Sequence, residues 1–242
     1  MVLFQLENPM RVLTIYVAQG LVCAFFIFLA YKILKRDRKR LNIIFSGFYL
    51  SAVIGFIINF IYGPIADENI VLILNFLTNF GIFYAPIFLV VFDLILLKSE
   101  KVITLNKQIL ILIGYGIIMF SMLFFVLSED WGITLNEDTE WFPVWTLPFF
   151  LYVLLAESIF AVIPALYLNF QIYTKFEDEQ LKKKWKFFIL GVCILLVFMY
   201  GIFFSNFLDI SALRTIIGVI GLICAIFGGY LMYYGVGKQI ER

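Results

Sequence analysis

Glu157 is the residue whose placement asks most of chemistry. It stands in an unbroken apolar stretch, about eleven residues from one end. At 1.5 Å per residue that is roughly 16 Å deep, the middle of a hydrocarbon layer about 30 Å thick. An ionised carboxylate there costs several kcal/mol unless it is paired. No Lys, Arg or His occupies the interior of any apolar run. Glu157 is therefore expected to be protonated or hydrogen-bonded to neutral partners. Two roles fit: a proton-coupled transport site, or a neutral interhelical hydrogen bond that helps packing.

A second group lies in one stretch, where Asn75, Asn79, Pro86 and Asp93 are spaced by four, seven and seven and so share a helical face. Polar groups in lipid turn toward neighbouring helices, so this face is expected to look inward. Pro86 leaves a carbonyl free and bends its helix. Asp93, close to Lys98, is expected to meet the cytoplasmic interface. Depth sorts the remaining candidates. Gln19, Asn75, Thr78, Asn79, Glu157 and Tyr200 all fall in the outer half or near the middle of their runs. Either they line a cavity open to the outside, where a small molecule would meet hydrogen-bonding groups on an aromatic background, or they satisfy one another in a closed core. Both readings stand on the sequence.

Absences narrow the chemistry. The chain has no histidine, which removes haem ligation by histidine pairs, histidine-dependent zinc sites and Ser-His or Cys-His catalysis. There is no GxGD aspartate pair, no lysine in the last apolar run for a retinal Schiff base, no arginine-rich helix, and no Walker or dinucleotide motif. Cys23, Cys193 and Cys224 all sit in apolar runs and read as small buried hydrophobes. The expectation is a protein that is not an enzyme, with no catalytic residue, metal or cofactor. A net charge of +1 gives no field for nucleic acid.

The elements that would carry these residues follow from composition. Hydrophobic residues make up 63% and charged residues 14%, against roughly 45–50% and 25% in soluble domains. Apolar runs lie at about 11–34, 41–63, 70–97, 109–128, 146–170, 187–207 and 214–236, each long enough to cross a bilayer as a helix. The expected fold is all-α: a single membrane domain over 1–242, a seven-transmembrane helix bundle. The first run is too long for a signal-peptide core and reads as a signal anchor.

The connections orient it. Of the 18 Lys and Arg, only Arg11 and Arg214 fall on one side of the alternating connections; the other sixteen, including the block Lys35 to Arg40, fall opposite. The positive-inside rule makes the basic side cytoplasmic, the N-terminus external and the location the cell membrane. The outer loop before the fifth run carries Glu129, Asp130, Glu137, Asp138 and Glu140, with Trp131, Trp141 and Trp145 read as an interfacial belt. The link Gln171 to Lys186 mixes Glu177, Asp178 and Glu179 with Lys182, Lys183 and Lys184. These would pair along a helical extension and offer a surface to a partner. Gly221, Ala225 and Gly229, at intervals of four, would let helix backbones approach. Intramolecular packing is the default use of that stripe, a homodimer seam the alternative.

Several stretches resemble the seven-helix sensor domain found N-terminal to many bacterial and archaeal histidine kinases. They are the basic first loop, Leu74 to Gly81 followed by Ala85-Pro86-Ile87-Phe88, the Lys182-Lys183-Lys184 entry into the sixth run ending at Gly191, and the tail Tyr230 to Gly235. The resemblance implies detection of an extracellular or membrane-borne signal and its transmission by helix motion. It carries over no catalytic residue. Such domains continue into an effector, whereas this sequence ends at Arg242, so a separate cytoplasmic effector protein would be needed. The leading expectation is a stand-alone membrane sensor. The alternatives are a small proton-coupled permease using Glu157, and a structural subunit of a membrane complex.

Overall fold

The computed structural model describes residues 12–128 and 130–237; Arg11, Glu129, Lys238 and Arg242, which enter the charge argument, lie outside them. Seven helices are long and apolar enough to cross a membrane: α1 Leu13–Arg36, α2 Arg40–Tyr62, α3 Glu68–Lys98, α4 Leu105–Val126, α5 Leu147–Lys175, α6 Glu179–Leu208 and α7 Ser211–Val236. Large apolar side chains stand exposed along every one, among them Phe124 at 77% and Val197 at 72%. This is the surface that lipid, and not water, would cover.

Helix ends depart from the apolar runs where caps dictate. α6 begins at Glu179, well before its apolar run, because Asp178 accepts from the backbone N–H of Gln180 at 2.7 Å and of Leu181 at 3.4 Å. Lys182 then pairs with Glu179 at 3.4 Å, so the charged link does form a helical extension, on α6. α3 starts behind Asp67, whose side chain accepts from Ile70 N–H at 3.1 Å.

Two helices carry irregularities with a proline at their root. In α3, regular geometry is interrupted at Tyr84, because Pro86 has no N–H for the Ile82 carbonyl. In α5, Pro164 removes the N–H that would bond Phe160. The chain widens into a π-turn over Ser158–Val162, with Ile163 N–H reaching back to the Ser158 carbonyl. That turn starts one residue after Glu157.

α3 is the most enclosed helix and α4 the least. Glycine sets the tightest seams. A Cβ on Gly81 of α3 would lie 2.9 Å from the backbone N of Gly55 in α2, and one on Gly191 of α6 would lie 2.5 Å from the Gly228 carbonyl of α7. The stripe on α7 is used inside the chain. Gly221 faces Phe198, Gly229 faces Phe26 and gives its carbonyl to the Tyr49 hydroxyl at 3.0 Å, and Ala225 is buried.

The one departure from helix among the described residues with paired strands is a short ribbon, β1 Ile133–Thr134 against β2 Val144–Trp145. It folds down onto one end of the bundle. Trp131 is exposed, but Trp141 and Trp145 are buried, and Trp145 packs against Phe83, Phe149 and Phe203 of three helices. Two of the three tryptophans expected in a lipid-interface belt are thus part of the core, because the ribbon turns them inward.

Candidate functional site

Beneath the ribbon the helices do not close. A cavity of about 290 Å³ lies between α1, α2, α3, α6 and α7, with Trp141, Phe142 and Pro143 of the ribbon loop at its rim. Near the rim it meets the ends of helices: Thr14 of α1, Tyr62 of α2, Asn206 of α6 and Arg214 of α7. Its floor is apolar, formed by Phe26, Phe48, Ala85, Pro86, Leu195 and Ala225.

Between rim and floor runs a polar collar. Asn59 donates its amide N–H to Gln19 Oε1, joining α2 to α1. On α3, Asn79 Nδ2 donates to Asn75 Oδ1 at 2.9 Å, and Asn75 Nδ2 donates to the Tyr62 hydroxyl at 2.8 Å. Thr78 is buried and its Oγ1 has no partner. A buried hydroxyl without a bond costs about 1–3 kcal/mol, and this one is sealed among its neighbours. The Trp141 indole N–H is likewise buried and unmatched.

The rim is shaped by backbone and charge. Glu140 and Trp141 both adopt left-handed backbone, with φ 50 and 59, unusual for bulky residues. Trp141 N–H is held by the Asn136 carbonyl at 2.9 Å. Arg214 pairs with Asp209 at 2.8 Å, donates to the Pro143 carbonyl at 3.3 Å and lies over the Phe142 ring. It thereby ties α7 to the loop and to the end of α6.

Three of the six residues selected from sequence therefore line this cavity: Gln19, Thr78 and Asn79. Asn75 stands immediately behind them. Glu157 and Tyr200 do not. Glu157 is fully buried on α5, where the Tyr115 hydroxyl lies close enough to interact electrostatically. That hydroxyl is committed to the Phe83 carbonyl at 3.0 Å, and neither carboxyl oxygen makes a hydrogen bond of good geometry. Tyr200 shares a 2.7 Å hydrogen bond with Ser158 Oγ. The two form a separate cluster around the π-turn.

Asp93, on the same face of α3, is wholly buried within the bundle. Asn169 Nδ2 of α5 donates to Asp93 Oδ2 at 2.6 Å, and the Trp185 indole N–H of α6 donates to the Asn169 carbonyl at 3.0 Å.

The sequence reading missed Asn59, Trp141 and Arg214. Asn59 was detectable as an amide inside the second apolar run. Arg214 was visible as one of two cations on its side. Nothing in the sequence marks Trp141, whose position depends on the loop's path. The three cysteines are unpaired; Cys23 is buried, but Cys193 and Cys224 are only half-buried, and no cluster of metal-ligating residues occurs among the described residues. No protein-family model and no curated protein matches the chain, so its function rests on this geometry.

Proposed function

We propose that this chain is a sensor, or receptor-like protein, of the cell membrane. Its ribbon end faces outside and its lysine-rich end faces the cytoplasm. A small molecule entering the cavity from the outer side biases the arrangement of the helices, and the inner ends report that bias to a cytoplasmic partner. The observation that carries this reading is the cavity itself. It opens at the end with few cations, and its lining draws polar groups from five helices. An occupant touching five helices has the differential contacts that a population shift requires. The positive-inside imbalance supports the orientation, and the resemblance to seven-helix sensor domains is in keeping with it.

The opposite end offers a surface for output. Lys182 and Lys186 of α6 flank Tyr173 of α5, and Lys35 and Arg36 close α1. A carrier coupled through Glu157 is the weaker reading, because that carboxyl stands apart from the cavity. Affinity purification from native membranes, with cross-linking through the 171–186 segment, is expected to recover a stable cytoplasmic partner. Recovery of none would count heavily against a sensor.

A further inference from the structure

The collar and floor together define a class of occupant. We infer that the cavity takes an uncharged, lipid-soluble molecule of about a dozen carbons carrying one hydroxyl or carbonyl head. This rests on the sensor reading of the same cavity.

Charge is the first argument. Among the described residues, no Asp, Glu or Lys lines the cavity, and Arg214, the one charged residue that does, is already paired with Asp209 at 2.8 Å. A cationic guest would leave water for a site without a counter-charge, and an anionic one would find only Arg214, whose charge Asp209 already balances although its Nε has no partner. Hydrogen bonding is the second. Asn79 has given its N–H to Asn75, and Gln19 has given its oxygen to Asn59. What remains includes an acceptor on Asn79, a donor on Gln19, and the hydroxyl of Ser205, which lines the cavity from α6 and is able to do either. That set suits a single neutral oxygen function.

Size and access agree. The volume of about 290 Å³ is nearly twice the roughly 150 Å³ that houses a benzene, which gives room for about a dozen carbon-sized atoms. The floor below the collar is hydrocarbon-like. Leu222 of α7 lines the cavity and also an outward-facing apolar notch with Phe25 of α1, Ile226 and Phe227. Leu222 thus borders both the cavity and the lipid-facing surface between α1 and α7, the side from which a molecule dissolved in the bilayer would approach.

Gly218 allows a clean block. It faces the cavity, and an added Cβ there meets only Thr14 Cγ2, at 3.9 Å. In Gly218→Leu the extra side chain would fill the space with no backbone clash. The test uses full-length protein in nanodiscs with tritiated 1-dodecanol, dodecanoate and dodecyltrimethylammonium, counted above empty discs. Saturable binding of the alcohol is expected, weakened about tenfold in Asn79→Leu, lost in Gly218→Leu, and not displaced by either ion. Ions that bind as well as the alcohol, or binding indifferent to both substitutions, would overturn the class. If no probe binds while Gly218→Leu still changes partner recovery from membranes, the class is wrong and the sensor reading stands. Alcohol binding without any effect on partner recovery supports the class and sinks the sensor.

Discussion

The side-chain N–H of Asn169 in α5 points at Oδ2 of Asp93 in α3, 2.6 Å away, in a fully buried layer. Trp185 of α6 closes on the same asparagine, so three helices meet at one polar node. Replacing Asn169 leaves Asp93 without its hydrogen bond, whereas replacing Asp93 leaves Asn169 still donating to the Ala165 carbonyl at 2.9 Å. Asn169→Leu is expected to destabilise by about 1–3 kcal/mol. The double variant Asp93→Leu/Asn169→Leu should lose less than the sum of the single changes. Thermal unfolding in detergent, run as a double-mutant cycle, measures the coupling; strict additivity would refute the node.

Gly81 and Gly114 make a matched pair of tests. A methyl on Gly81 must push into the Gly55 backbone, whereas one on Gly114 meets nothing within 4 Å. Gly81→Ala should cost about 1–3 kcal/mol through overpacking. Gly114→Ala should be neutral or raise the melting temperature, since Ala is about 0.8–1.0 kcal/mol the better helix former. Equal effects would mean that α2 and α3 do not touch along this seam.

Orientation is directly measurable. With Asp138→Cys in the ribbon loop and Glu177→Cys between α5 and α6, a membrane-impermeant maleimide added to intact cells should label the first and spare the second until lysis. The reverse pattern would invert the proposed topology.

Glu157 gives a prediction about shape against charge. Its oxygens make no well-formed hydrogen bond, and Gln has nearly the same shape. Glu157→Gln should shift stability by less than about 1 kcal/mol and leave cavity binding intact, while Glu157→Lys, which buries an unpaired cation, should fail to assemble. A large loss of binding in Glu157→Gln would place the carboxyl in the ligand's path.

What the sequence disclosed follows from physics that acts along one helix at a time. Run length specified the seven spans, and the four-seven-seven spacing put Asn75, Asn79, Pro86 and Asp93 on a face that is indeed buried. Gln19, Thr78 and Asn79, selected by depth, line the cavity. It could not say which way a helix is rotated against its partners, so Glu157 and Tyr200, at suitable depth, turned out to face a different cluster. The widened turn after Glu157 was implicit in Pro164, but a proline permits a kink, a break or a π-turn, and neighbouring packing chooses among them. The ribbon was least legible, because Trp145 reads equally well as an interface anchor or as a core residue until the loop's fold is known.

The walls of the cavity differ in stiffness. Where α2 meets α3, backbone lies against backbone: a Cβ on Gly55 would sit 2.7 Å from the carbonyl of Thr78, a residue of the cavity lining. That side has no slack. Across the opening, α7 is clasped to α6 at Gly191 and Gly228 near its far end, while Gly218 borders open space. An occupant of slightly excessive girth would therefore displace the upper part of α7, while its lower part stays held at Gly228 and again at Gly235, where a Cβ would lie 2.7 Å from the Lys184 carbonyl.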